Sequence, residues 1–206
     1  MQTKILSIST PDALERALEF LQEGELVAFP TDTVYGIGTL AFNAAGAAKI
    51  YAAKERPPDK ALPILLGDTE DFEKVAINIP EIARKLAKAF LPGALTLILP
   101  KHPDIPKTVS SLETVGIRIP NHNFTRELLR AAGPMAVTSA NISGENSPIS
   151  AEEVYAQLKG RISLVLDDGV SASGTPSTVV DCTRGEVVIL REGAISKETI
   201  LESLAA

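Results

Sequence analysis

This sequence has few of the residues that most often carry chemistry. Its 206 residues include one cysteine, Cys182, and two histidines, His102 and His122. A lone cysteine excludes an internal disulfide and any cysteine-based zinc site. Two loop histidines without matching carboxylate spacing make no credible metal site. Tryptophan is absent, and the three Tyr and six Phe are too few for a surface that stacks RNA bases. The longest apolar runs are strand-sized, which argues against a membrane span. The opening MQTKILSIST lacks an apolar h-region and a small-residue cleavage site, so no signal peptide is read and a cytoplasmic location is expected. There is no G-x-S-x-G elbow, no Walker A run and no G-x-G-x-x-G after a strand. Any ATP bound here is therefore not held by a P-loop.

What remains is an ordinary globular composition, 45% hydrophobic and 22% charged, on a chain long enough to bury a core. The net charge of −6 opposes a nucleic-acid reading, since such proteins usually carry a basic stripe. Several cations nevertheless sit inside the polar motifs. Cations focused against an acidic background suit a small anion in a pocket better than a long polyanion.

Taken in order, Thr10-Pro11 reads as the start of a helix, with Leu14, Ala17, Leu18 and Leu21 at helical spacing and Gly24 at its end. Residues 25–29 read as a buried strand, and Gly36-Ile37-Gly38 as a tight turn. Asn43 is placed to cap a small-residue helix over 44–53. A strand over 62–66 and a helix opened by Pro80 follow, the latter stopped at Leu91-Pro92-Gly93. Residues 94–99 and 115–119 read as strands, the second alternating so that Arg118 faces away from Val115, Ile117 and Ile119. Asn123 is expected to cap a helix over 124–132. A strand over 134–138 leads into Ser139-Ala140-Asn141. Ser150 and Glu153 form a capping box, residues 163–166 a strand, and 178–181 with 186–190 a hairpin. Ser196 caps the last helix, with Ile195 and Ile200 as a hydrophobic staple. No repeat or composition shift divides the chain, so a single α/β domain over 1–206 with a twisted mixed sheet is expected.

The densest cation cluster is KERPPDK, which places Lys54, Arg56 and Lys60 in seven residues after the small-residue helix. A solvated helix end is the plain reading, because cations complement the dipole there. Pro57-Pro58 stiffens the turn, however, and the cluster lies between two strand-like segments. An outward arginine on a half-exposed strand is the plain reading of Arg118, and turn chemistry that of Asp32, Thr33, Thr138, Ser139 and Asn141. Ser177 and Arg191 read plainly as strand-end residues. What raises them together is the recurrence of hydroxyl and cationic groups at strand ends, where ligands bind on such sheets.

The motifs PTDTVYGIG, KERPPDK, PGALTLIL, VGIRIP, TSAN, STVVD and REG occur in that order along the chain. On these residues the chain resembles the YrdC-like threonylcarbamoyl-AMP synthases, over roughly residues 14–193. The resemblance implies a YrdC-like twisted sheet with flanking helices and a concave, positively lined cleft. It implies an enzyme that makes threonylcarbamoyl-adenylate and pyrophosphate from ATP, L-threonine and bicarbonate. Mg²⁺ would be carried with the nucleotide rather than held by a protein site. The product would pass to a tRNA threonylcarbamoyl transferase for adenosine modification, with a weak tRNA contact at most and no membrane.

The family's K-x-R and S-x-N signature falls on Lys54, Arg56, Ser139 and Asn141 as catalytic residues. ATP would be held by Arg56, Lys60, Thr114, Ala140, Pro148 and Arg191. L-threonine would be held by Thr33, Arg118, Thr138 and Ser177, with Arg118 facing the carboxylate. Longer relatives carry a histidine near Leu65, which leaves the fine contacts of that pocket open. Two other readings stand beside this one. The first is a double-stranded RNA or tRNA-binding module, which the charge opposes. The second is an inactive paralogue, which the intact signature opposes.

Overall fold

The computed structural model describes residues 2–205. Ten strands form one mixed sheet in the order β1-β8-β2-β3-β7-β4-β6-β5-β9-β10. They are β1 (Lys4–Ser7), β2 (Val27–Phe29), β3 (Gly36–Leu40), β4 (Ile64–Leu65), β5 (Leu95–Pro100), β6 (Thr114–Arg118), β7 (Met135–Ser139), β8 (Leu164–Asp167), β9 (Thr178–Asp181) and β10 (Val188–Arg191). The helices are α1 (Ala13–Gln22), α2 (Ala44–Lys54), α3 (Glu81–Phe90), α4 (Asn123–Ala132), α5 (Ala151–Leu158) and α6 (Lys197–Ala205), with a 3-10 segment at Thr69–Lys74. The pairs β1/β8, β2/β8, β4/β6 and β5/β9 are parallel, whereas β3/β7, β5/β6 and β9/β10 are antiparallel.

Period-two alternation divides the core between the two faces of the sheet. Val27, Phe29, Leu65, Met135, Val137, Leu164 and Leu166 pack with Ala13, Ala17 and Leu21 of α1 and Leu128 and Leu129 of α4. The intervening Ala28, Ile64, Ala136 and Val165 belong to the other core. That second core also takes Ala47 and Ile50 of α2, Leu86 of α3, Val154 of α5 and Ile200 of α6. Leu95, Leu97, Leu99, Val115, Ile117 and Val180 join it from β5, β6 and β9. Their alternates Thr96, Gly116 and Arg118 therefore face the side of α1 and α4.

Several local signals read as expected. Asn43 Oδ1 accepts from Gly46 N at 2.9 Å to cap α2, and Pro80 precedes α3. Ser150 Oγ accepts from Glu153 N, while the Glu153 carboxylate reaches back to Ile149 N at 2.8 Å. Ser196 Oγ accepts from Thr199 N at the start of α6, where Ile200 is buried.

Others differ. Helix α1 starts at Ala13 and not at Thr10, because Asp12 takes the cap position and its carboxylate pairs with Arg16 one turn on. The cap of α4 is His122 and not Asn123: its Nδ1 accepts from Thr125 N, which puts the ring proton on Nε2 facing Asp168. Strand β4 is two residues long where five were expected. Strand β1 carries no strong sequence signal and pairs in parallel with β8.

Gly36-Ile37-Gly38 is not a turn but the middle of the sheet, paired with Ser139, Thr138 and Val137. A Cβ at Gly36 or Gly38 would lie 2.9 or 2.8 Å from the Val137 methyls, so only glycine lets β7 carry a valine there.

Candidate functional site

Helices α1 and α4 share their face of the sheet with Thr96, Gly116 and Arg118, and a cleft opens beside them. It holds about 150 Å³. Its wall is Thr33 and Tyr35 from the segment before β3, Leu65 of β4, Thr96 of β5 and Arg118 of β6. Val137, Thr138 and Ser139 of β7, Ser177 before β9 and Arg191 at the end of β10 complete it. All four residues expected to hold an amino acid, Thr33, Arg118, Thr138 and Ser177, thus meet in one concavity, although they are spread over 145 positions of sequence.

Arg118 corrects the outward-arginine reading. Both faces of β6 are covered, and the side chain is only 9% exposed. Its Nε donates to Gly93 O at 3.0 Å, Nη1 to Thr33 Oγ1 at 2.9 Å and Nη2 to Asp32 Oδ1 at 2.6 Å. Burial pulls the guanidinium pKa down, and the Asp32 charge opposes this. Three of its five N–H groups are engaged, which leaves one on each terminal nitrogen for a planar anion such as a carboxylate. Asp32 also accepts from Asn121 N, so the ion pair is held from both sides.

Across the cleft, Arg191 donates twice to Ser177 O, at 3.2 and 2.8 Å, and no carboxylate pairs with it among the described residues. The backbone of Gly193 packs against Pro176 and Ser177 so closely that an added Cβ would lie 2.2 Å from Pro176 O. Ser177 Oγ lies 2.8 Å from Thr96 Oγ1.

The cation cluster behaves differently. Lys54 is 1% exposed, so the solvated-helix-end reading fails for it. Its ammonium donates to Ser139 O and Asn141 O, with Asn141 Oδ1 at 3.4 Å. Burial, with a smaller push from Arg56, brings its pKa down to about 7. Ser139 Oγ donates to Asn141 Oδ1, and Asn141 Nδ2 donates to Ile142 O and Glu145 O. Arg56 donates from Nε to Lys60 O and from Nη2 to Ala61 O, closing its own proline-stiffened turn.

Of the signature residues, only Ser139 lines the cleft. Of those expected at the nucleotide, only Arg191 does. Ala140 N donates to Tyr35 O and Pro148 O accepts from Tyr35 N, both at 2.9 Å, which ties those two loops to the cleft wall. Lys60 is exposed, and Thr114 lies at the far end of β6 from Arg118.

Thr31, Tyr35 and Thr96 line the same cleft and carry no individual signal of their own, since Thr and Tyr in and beside strands are unremarkable. Their place inside PTDTVYGIG and PGALTLIL is the one clue. Among the described residues no three His, Cys, Asp or Glu side chains cluster as metal ligands. Among the described residues no helix is long and apolar enough to cross a membrane.

The site is thus a small hydroxyl-lined cleft with two arginines, set in a twisted α/β sheet, a class suited to a small anionic ligand. Comparison with known proteins narrows the class. The Sua5/YciO/YrdC family model, described as "Telomere recombination", matches residues 19–193, and the chain belongs to that family. It is 45% identical over 201 residues to the threonylcarbamoyl-AMP synthase of Bacillus subtilis, covering 96% of this chain and 58% of that protein. It is 41% identical over 189 residues to a putative threonylcarbamoyl-AMP synthase of Mycobacterium tuberculosis, covering 91% of this chain and 87% of the relative. A crystal structure of P. abyssi Sua5 complexed with L-threonine superposes with a TM-score of 0.94 at 39% identity, covering 99% of this chain and 61% of that one. The chain therefore spans less than two thirds of the length of the B. subtilis and P. abyssi proteins.

Proposed function

We propose that this chain is a threonylcarbamoyl-AMP synthase that joins L-threonine, bicarbonate and ATP into threonylcarbamoyl-adenylate and pyrophosphate. One observation carries the reading: Thr33, Arg118, Thr138 and Ser177, from four separate segments, line a single cleft. At about 150 Å³ that space suits an amino acid and falls below the roughly 300 Å³ where drug-sized sites begin. The relatives' names and the L-threonine in the P. abyssi structure point the same way.

In this reading the threonine carboxylate takes the free N–H groups of Arg118. The amine, as free base, attacks the carbon of bicarbonate or of carbon dioxide derived from it, and a C–N bond forms. With bicarbonate, hydroxide leaves and takes the amine proton as water. A carbamate oxygen then attacks the α-phosphorus of ATP in line, and the bond to the β-phosphate oxygen breaks to release pyrophosphate. No side chain in the cleft is a histidine, so the contribution is positioning and charge stabilisation.

Arg191, Arg56 and Lys60 are read as phosphate partners, with Thr114, Ala140 and Pro148 seating the nucleotide. Lys54 and Asn141 serve the reaction by holding the turn that presents Ser139. Mg²⁺ would supply charge neutralisation on the phosphates, and the residues present offer it no protein cage, so it would enter with the nucleotide.

The continuous sheet from Lys4 to Arg191 supports reading the chain as one domain, and the proposed reaction places it in the cytoplasm. A mixed anhydride hydrolyses readily, which favours direct hand-over to a tRNA threonylcarbamoyl transferase, with a weak tRNA contact at most. The test is pyrophosphate release from ATP and Mg²⁺ with threonine and bicarbonate supplied singly and together. Release is expected only with both present, and serine should serve less well. Equal release without amino acid overturns the reading and leaves a generic ATPase.

A further inference from the structure

We propose that Thr31, a cleft-lining residue outside the four read as holding threonine, is a positioning residue that makes Thr33 a hydrogen-bond acceptor only toward the ligand. The inference rests on the reading of the cleft as an amino-acid site and assigns the polarity of that site. It follows from counting protons, since a hydroxyl has one to give and two lone pairs to receive with.

Thr31 is 4% exposed and Thr33 1%. Thr31 Oγ1 donates to Val34 O at 2.7 Å, which uses its single proton. Thr33 Oγ1 lies 3.0 Å from Thr31 Oγ1, and a buried oxygen–oxygen contact of that length needs a proton between the two atoms. Only the Thr33 proton remains to fill it. Thr31 Oγ1 also accepts from Thr33 N at 3.1 Å, so both of its lone pairs are taken. Thr33 Oγ1 accepts from Arg118 Nη1 at 2.9 Å. Thr33 therefore has no proton left and one lone pair to offer the cleft.

The second hydroxyl pair has the opposite balance. Thr96 Oγ1 and Ser177 Oγ are 2.8 Å apart and hold two protons, of which one lies between them. The only further contact on either oxygen among the described residues is a donor, Arg191 Nη2, 3.4 Å from Ser177 Oγ. Whichever way the shared proton points, one O–H remains for a ligand. The cleft thus offers an acceptor at Thr33 and donors at Arg118 and the Thr96–Ser177 pair.

An amino acid whose oxygens sit on Arg118 and the hydroxyl pair then meets Thr33 with an N–H, while Thr138 and Ser147 in the same lining can donate or accept. The consequence is kinetic. A donor at Thr33 would bind the amine lone pair, the electrons that must form the C–N bond. An acceptor binds an N–H and leaves the lone pair free. By holding the Thr33 proton, Thr31 prevents the site from masking its own nucleophile.

The test compares Thr31→Val, which keeps the shape and removes the acceptor, with Thr31→Ser, which restores it. Pyrophosphate release should show kcat lowered about tenfold or more in Thr31→Val, with the KM for threonine changed by less than about threefold. Thr31→Ser should recover most of kcat. A parent-like kcat in Thr31→Val overturns the proposal. So does a loss shared equally by both KM values and unrepaired in Thr31→Ser, which marks a merely structural role.

A second arm needs no substrate. In the ligand-free protein with isotope-labelled threonine, the Thr33 hydroxyl proton should exchange slowly by NMR, and fast in Thr31→Val. Fast exchange in the parent overturns the polarity. Slow exchange in a parent that releases no pyrophosphate with threonine supports the polarity and overturns the synthase reading instead.

Discussion

The buried lysine at the end of α2 and the arginines of the cleft use their charges in opposite ways. At the cleft, Arg118 and Arg191 keep N–H groups unspent on a concave surface. At the end of α2, Lys54 directs its ammonium at Ser139 and Asn141, whereas Arg56 spends two N–H groups on Lys60 and Ala61, as Arg191 spends two on Ser177. In the proposed reading the first region receives an anion. The second fixes two turns, and one of them, 139–141, supplies a wall of the cleft. Charge density in sequence thus does not say which cations are spent on the protein itself, because buried carbonyls demand donors as insistently as a phosphate does.

The largest expected effect breaks the comparison on the α2 side. Lys54→Met removes the donor from two backbone carbonyls, each costing about 1–3 kcal/mol when buried and unsatisfied, while Asn141 Oδ1 keeps its bond from Ser139 Oγ. A stability loss of roughly 3–5 kcal/mol is expected from urea unfolding. A loss under about 1 kcal/mol would mean that the turn holds itself.

On the cleft side, Arg118→Ala should weaken threonine binding by roughly 2–5 kcal/mol while leaving the affinity for a non-hydrolysable ATP analogue nearly intact. It also strands Asp32, so stability should fall, and adding Asp32→Asn should restore stability without restoring affinity. Calorimetric titration of both variants with both ligands gives the answer. Parent-like threonine binding in Arg118→Ala would remove the carboxylate anchor from the synthase reading.

A further effect on the α2 side is a pH slope. The folded pKa of Lys54, about 7, lies below the ordinary 10.5. Between these values the unfolded chain binds the extra proton, so stability rises with pH across that window and is lost as pH falls through about 7. The urea midpoint of the parent should therefore climb relative to that of Lys54→Met from neutral pH toward 10.5. Parallel profiles would show that the ammonium titrates normally.

Much of the fold was legible because its signals are local. Asn43, Ser150 and Ser196 cap helices through partners three residues away, and alternation along β2, β7 and β8 follows from the pleat. The glycines at 36 and 38 misled for a tertiary reason: they serve close approach to Val137, a hundred residues away, and not a turn. Motif order likewise marked the residues of the cleft without saying which way they face.

The amino-acid sequence by itself determined the helices and most of their boundaries, most of the strands, the family and the segments that carry polar groups. All of these depend on neighbours within a few residues, or on the ordered motif set as a whole. Only the tertiary structure decided that Arg118 is buried against Asp32 and Thr33, that Lys54 spends its charge on Ser139 and Asn141, and that Thr96 joins Ser177. The partners in these bonds lie 81 to 87 residues apart. A hydrogen bond is decided by which donors and acceptors the packed sheet brings within about 3 Å. No local pattern encodes that pairing.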